Sequence, residues 1–348
     1  MNRDQEHFRG CLLGGAVGDA LGAPVEFMRY TAITQKYGEG GIPDLQTNKE
    51  GLALITDDTQ MTLFTAEGIL RAYTRGNNKG ICHPPMVVFH AYQRWLLTQG
   101  YPKVSEFEWV YDGWLLGVKE LNASRGPGNT CLSALLSRKA GSIEHPINNS
   151  KGCGGVMRVA PAGLAFTRKR AFSMAADFAA LTHGHPSGYL SAGTLAHLIL
   201  CIIEGQNIES AVNDALLELE GHKDHEECSA CLCKAISLVD SGLPDQQAII
   251  QIGEGWVGEE ALGIAVYCAL KYPDDMRGAL IAAVNHDGDS DSTGAITGNI
   301  LGAYLGVGAI PDEWLEKLEL REVITQLADD LLIGYREGDG WWEKYPGY

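Results

Sequence analysis

Cys11-Leu12-Leu13-Gly14-Gly15-Ala16-Val17-Gly18-Asp19-Ala20-Leu21-Gly22 is an apolar stretch in which glycine returns every fourth residue. Gly294, Gly298, Gly302 and Gly306 repeat that spacing near the other end of the chain. Glycine inside a helix costs roughly 1 kcal/mol against alanine, so both stripes require compensation. A row of small residues lets two helix backbones approach closely, as it does where membrane helices pack. The spacing therefore predicts two buried central helices in tight contact, joining the ends of the chain.

Outward from these stripes, helical periodicity dominates. Residues 59–74, 172–183, 189–204, 209–220, 228–240, 259–271, 277–285 and 312–334 place apolar residues three or four apart. The strand-like pieces are short, around 52–55. Length alone permits one large domain or two, but no Pro- or Ser-rich linker divides the chain. The expectation is an all-α, compact single domain over residues 1–348. Residues 28–51 and 122–156, rich in glycine and polar groups, read as loops, and long glycine-rich loops in a helical domain tend to bind ligands.

Composition narrows the partners. The formal net charge is -17, without a run of Lys or Arg, so no general nucleic-acid binding is expected. Nine cysteines without regular spacing suit reduced thiols in a cytoplasmic protein. The N-terminal segment reads as neither signal peptide nor membrane span, because glycines and Asp19 break its apolar run. A soluble monomer is expected.

Each glycine-patterned region lies beside an acidic cluster or points at one. Thr56-Asp57-Asp58-Thr59 opens the 59–74 helix, and Asp287-Gly288-Asp289-Ser290-Asp291-Ser292 precedes the second stripe. A helix start needs one capping residue and at most an acidic neighbour. Two or three carboxylates with interleaved hydroxyls exceed that need and match hard divalent cations. Asp57, Asp58, Asp289 and Asp291, with the hydroxyls of Thr56 and Ser292, form an oxygen-only set that suits Mg, Mn or Ca. Two ions about 3.5–4 Å apart can share such carboxylates and clamp a reacting group. The closure of the chain puts Asp19 and Glu26 near the second cluster.

Three other patterns accompany the clusters. The glycines of 150–155 expose backbone N–H groups that suit phosphate oxygens. His183-Gly184-His185-Pro186 ends an apolar helix, where a histidine either complements the dipole or contacts a polar ligand. His222, His225, Cys228, Cys231 and Cys233 invite a zinc reading, but 229–239 keeps helical periodicity, and incidental thiols are expected there.

Several ordered motifs complete the picture: Gly14 to Glu26, Thr56-Asp57-Asp58-Thr59-Gln60, Gly154-Gly155-Val156-Met157-Arg158-Val159-Ala160-Pro161, Leu181 to Pro186, and Gly288 to Gly294. Together they resemble the ADP-ribosylglycohydrolase family over roughly residues 8–310. The resemblance implies an all-α fold with a binuclear metal site in a central cleft, two Mg ions with Mn as an alternative, and cleavage at C1 of an ADP-ribose attached to a protein side chain. It implies Thr56, Asp57, Asp58, Asp289, Asp291 and Ser292 as metal ligands. Glu26 matches the family's acidic residue that contacts a metal or gates the site. The loop Asn148, Asn149, Ser150, Lys151, Gly152, Cys153 and Gly154 matches its diphosphate and ribose contacts, and His183 a substrate contact. Trp256 matches the position against the distal ribose or adenine. Cys153 departs from the pattern, since many members carry Asn before the Gly-Gly pair.

The resemblance implies that an ADP-ribosylated protein is the substrate, with arginine the first choice of linkage, and that ADP-ribose is the product. Asp291, Asp289 and Glu26 are the candidate catalytic bases. Serine-, O-acetyl- or nucleic-acid-linked ADP-ribose is the alternative substrate. The rival classes are an inactive ADP-ribose-binding member and a two-metal phosphohydrolase.

Overall fold

Asp4 accepts the backbone N–H of His7 at 3.0 Å and starts helix α1, Gln5–Gly22, in the computed structural model, which describes residues 2–347. A short α2, Tyr30–Tyr37, follows. Thr56 caps α3, Asp57–Lys79, which stops at Gly80 in the left-handed region, φ 73°. Two prolines open α4, Pro84–Thr98, where a missing N–H is harmless. The chain continues through α5 (Asn129–Leu136), α6 (Ala160–Ala165), α7 (Ala171–Ala180) and α8 (Pro186–Ile203). Then come α9 (Ile208–Glu220), α10 (Glu226–Leu238), α11 (Asp245–Ile252) and α12 (Gly258–Lys271). The last are α13 (Met276–Val284), α14 (Ser290–Leu305), α15 (Asp312–Lys317), α16 (Arg321–Ile333) and α17 (Asp339–Lys344).

The all-α expectation is met: the described residues contain helices and two isolated bridges, with no extended strand. The piece at 52–55 is one of those bridges, Ala53 against Leu318. Most periodic segments became helices within a few residues of the expected bounds. The continuous helix expected over 312–334 is instead two, because the chain turns at Leu318-Glu319-Leu320. Leu320 takes a left-handed φ of 59°, and Glu319 turns inward to bind Ile55 and Arg125. The two segments read as loops also hold helices, α2 and α5.

The glycine stripes meet as α1 and α14 run antiparallel. A Cβ on Gly10, Gly14 or Gly18 would overlap the carbonyl oxygen of Gly302, Gly298 or Gly294, and each of those three would clash with its opposite number in return. At the end of the contact, a Cβ on Gly22 would lie 2.5 Å from the backbone N of Asp291. Both helices are buried over nearly their whole length, as helices without a polar face must be. The lost glycine propensity is offset by backbone-to-backbone packing that no larger residue permits.

Helix α8 is long and apolar enough to cross a membrane, but 94% of it is buried inside the protein, where it serves as a core helix.

Candidate functional site

The antiparallel α1–α14 pair sets the end of α1 beside the start of α14. Asp19, on the last turns of α1, is fully buried and accepts hydrogen bonds from the backbone N–H of Thr56 at 3.0 Å and of Thr59 at 3.2 Å, and from the Thr59 hydroxyl. It thus caps α3 from a neighbouring helix. The two acidic clusters then touch directly: Ser292 Oγ donates to Asp58 Oδ2 at 2.8 Å. Glu26, Asp289 and Asp291 each offer an oxygen, and these atoms lie within 4.8 Å of one another. Asp19 therefore lies against the first cluster as well as close enough to the second for Asp291 to act on it.

These carboxylates face a cavity of about 440 Å³. Glu26, Asp57, Asp58, Asp289, Asp291 and Ser292 line it, with Gly152, Cys153, Gly154, His183 and Met157 next to them. Gly126 to Cys131 line it too, and Phe27 and Trp256 stand at the mouth. No Lys or Arg is among the lining residues. Thr56 is not among the lining residues, but its hydroxyl, which accepts from the backbone N–H of Asp58 at 3.2 Å, is also hydrogen-bonded to Asp291 and so borders the cluster.

Burial and mutual repulsion load the cluster with protons. Burial first, then the charge of Asp291, pushes Asp19 up to about 7 and Glu26 up to about 9. The same two causes hold Asp57, Asp58 and Asp289 well above the usual carboxylate range. Asp291 is itself raised by burial, with hydrogen bonds pulling the other way. Buried carboxylates without a cationic side chain among them fit divalent cations, whose charge removes the repulsion. All-oxygen donors of this kind favour hard cations over zinc.

The glycine loop divides. Gly152, Cys153 and Gly154 reach the cavity, whereas Asn148, Asn149, Ser150 and Lys151 are not among its lining residues. Asn148 holds the loop together, accepting from the N–H groups of Ser150 and Gly184 and donating to the carbonyl of Thr182. Ser150 Oγ lies 3.2 Å from Thr130 Oγ1. Lys151 Nζ turns to Glu227 at 2.6 Å and to Glu259. Asn149 stays exposed. Cys153, the departure from the resembled motif, points its thiol at Asp289 Oδ2, 2.6 Å away, and burial with the neighbouring carboxylates keeps that thiol protonated.

His183 is buried, with Nδ1 2.8 Å from Thr182 Oγ1. Trp256 stacks on Phe27 with centroids 5.6 Å apart, and its indole N–H donates to Glu254. Phe27, 79% exposed, and Met157 line the cavity without being among the site residues expected from sequence, whereas the Pro127-Gly128 wall lies in the 122–156 segment expected to bind ligands. The signal in the sequence is position alone: Phe27 directly follows Glu26.

The His/Cys cluster of 222–233 does not converge. His222 stacks on Phe172 at 4.0 Å, His225 pairs with Ser229, and the Cys231 thiol donates to the Glu259 carbonyl. A different trio, His197, Cys201 and Asp214, is close enough for metal binding. Arg168 fills it, however, with its guanidinium on both oxygens of Asp214 and against the Cys201 thiol.

Residues 1–340 match the sequence pattern of the ADP-ribosylglycohydrolase family. The chain is 28% identical to the ADP-ribosyl-[dinitrogen reductase] glycohydrolase of Rhodospirillum rubrum, over 93% of this chain and 94% of that one. It is 26% identical to the ADP-ribosylarginine hydrolase Tri1 of Serratia proteamaculans, over 95% of this chain and 80% of that one. Among solved structures, an ADP-ribosylglycohydrolase-related protein complex superposes with a TM-score of 0.65 at 25% identity, covering 96% of this chain and 99% of the other.

Proposed function

The chain belongs to the ADP-ribosylglycohydrolase family, and from that premise we propose that it is a glycosidase releasing ADP-ribose from modified protein side chains, with two Mg or Mn ions and arginine as the linked residue. One observation carries the proposal: both acidic clusters open onto the same cavity as the Gly152–Gly154 loop and His183. Carboxylates suit the cations, and the loop with His183 suits the phosphates and hydroxyls of a nucleotide. The named activities of the Rhodospirillum and Serratia relatives support the substrate class, and the second supports arginine.

Asp57, Asp58, Asp289 and Asp291, helped by the hydroxyls of Thr56 and Ser292, would hold the ions. When bound, divalent cations supply concentrated positive charge for ribose hydroxyls and acidify water. The protein's own groups do the rest. Glu26, Asp289 and Asp291 are the candidates to hold the proton that water gives up as it attacks C1. Glu26 is only partly buried, at the cavity's edge, so it can pass that proton outward. Bond cleavage expels the arginine side chain with the C1–N bonding pair, and its guanidinium must keep its proton until then so that it leaves as a neutral guanidine. The wall of Gly126 to Cys131 and the Phe27–Trp256 pair restrict where the sugar can sit, and positioning of this kind removes much of the barrier.

Replacing Asp291 by Asn is expected to abolish cation-dependent release of ADP-ribose. Turnover at the wild-type rate in this variant would overturn the assignment. Purified protein offered arginine-, serine- and nucleobase-linked ADP-ribose should release intact ADP-ribose from the arginine conjugate. Release of AMP or phosphate instead would mean a phosphohydrolase.

A further inference from the structure

Arg158 is completely buried, and no carboxylate is bonded to it among the described residues. Its guanidinium lies over the Tyr92 ring at 4.4 Å and reaches sulfur atoms of Met61 and Cys131. Its Nε has no partner. A buried cation with no carboxylate partner is costly, so its directed contacts are informative: Nη2 donates to the Phe178 carbonyl at 3.2 Å and, over a shorter distance, to Thr182. Arg158 Nη2 donates to Thr182 Oγ1 at 2.7 Å.

That contact bears on the direction of the next one. The arginine has no lone pair to offer, so Thr182 Oγ1 accepts from it and its own proton must go elsewhere. Three acceptors are near: His183 Nδ1 at 2.8 Å, the carbonyl of Ala179 at 3.4 Å and the Cys131 sulfur. The short contact to the ring nitrogen is favoured, and a hydroxyl polarised by a cation is a better donor. His183 Nδ1 then accepts, which leaves the ring proton on Nε2.

Nε2 is the nitrogen that faces the loop of the cavity. A Cβ on Gly154 would lie 3.3 Å from it and one on Gly152 3.5 Å, so the glycines keep that edge clear. Among the described residues the His183 ring makes no second hydrogen bond, and it lines the cavity. Burial, with the charge of Arg158, pushes its pKa down to about 3, so the ring is neutral at ordinary pH.

We propose that Arg158, acting through Thr182, is a positioning residue that locks His183 in its Nε2–H tautomer and so gives the cavity a fixed neutral donor for a substrate oxygen. Which oxygen is bound rests on the function proposed above; the tautomer does not. The relay runs behind the cavity wall: neither Arg158 nor Thr182 lines it.

Nitrogen-15 NMR of histidine-labelled protein tests the relay, with the His183 signals identified by their loss in His183→Gln. The wild type should show an unprotonated Nδ1 and a protonated Nε2. Thr182→Val removes the donor and should give mixed tautomers, while Thr182→Ser restores the wild-type pattern. Arg158→Lys keeps the charge but loses the planar fork, and should also mix the tautomers. A protonated Nδ1 in the wild type, or a wild-type pattern in folded Thr182→Val, overturns the proposal. A wild-type pattern in folded Arg158→Lys overturns Arg158's part in it.

On the arginine-linked substrate, KM should rise about tenfold in Thr182→Val with kcat less affected, a loss of about 1.4 kcal/mol of binding, and recover in Thr182→Ser. An unchanged KM means His183 donates nothing to substrate and overturns that half of the proposal. If the tautomers behave as stated and the wild type releases no ADP-ribose from any conjugate, the proposed function fails and the relay stands.

Discussion

Asp19 and Glu26 show why single side chains at this site respond to pH and cations together. Each binds a proton more tightly in the folded protein than in the unfolded chain. The stability this contributes is present below about pH 4, the ordinary carboxylate value. It is lost as pH rises through about 7 for Asp19 and about 9 for Glu26. His183, pushed down to about 3, works in the opposite sense, but only below its ordinary 6.5. Between pH 6.5 and 9 the carboxylates decide the sign. The melting temperature of cation-free protein should therefore fall over that range, and the increment given by excess Mg should grow. Differential scanning calorimetry across this range checks both. A cation increment that is flat with pH, or absent, contradicts a carboxylate site that exchanges protons for metal. At this scale much was legible, because Asp57, Asp58, Asp289 and Asp291 outnumber what helix caps need. Asn148 and Lys151 were less so: their partners, Gly184 and Glu259, are remote in sequence, and local composition cannot reveal which polar side chains of a loop are already occupied.

Among the elements, the α1–α14 contact is the one on which the site depends. Gly18→Ala should gain up to about 1 kcal/mol of helix propensity. The new methyl would meet the Gly294 carbonyl, and overpacking of a close contact costs about 1–3 kcal/mol or more. Net destabilisation is expected, read as a lower urea midpoint. Gly294→Ala should behave alike, and the double variant should lose less than the sum, since one separation of the helices relieves both clashes. Gly340 in α17 has nothing within 4 Å of its would-be Cβ, so Gly340→Ala serves as a control and should be neutral or stabilising. A Gly18→Ala protein as stable as wild type would remove the reason given for the stripes. Those stripes were readable because a period of four recurs in both segments. The break between α15 and α16 was not, since apolar spacing continues across Leu318 and Leu320 and the turn answers to a distant demand from Ile55.

That demand extends over the whole molecule. Glu319 accepts the Ile55 N–H at 3.2 Å with one oxygen and the Arg125 guanidinium at 2.9 Å with the other. The Ala53–Leu318 bridge runs beside it, and the Arg125 carbonyl accepts the N–H of Asp57 at 3.1 Å. A carboxylate from near the C-terminal end thus holds both the segment leading into Asp57-Asp58 and the residue before the Gly126-Pro127-Gly128 wall. No sequence pattern marks this brace, because its three members lie in separate segments and each is ordinary alone. Glu319 does not line the cavity, so its removal separates support from chemistry. Glu319→Ala leaves the Ile55 N–H without its acceptor and Arg125 with only the Ile55 carbonyl at 3.4 Å, at a cost of about 1–3 kcal/mol. It should also weaken Mg or Mn affinity several-fold, measured by calorimetry, because the first acidic cluster loses its anchor while keeping every ligand. Glu319→Gln, which can still accept from Ile55, should fall between the two. Wild-type cation affinity in folded Glu319→Ala would mean that Asp19 and Ser292 alone fix the cluster, and that the contacts joining the chain's ends at α1 and α14 suffice to build the site.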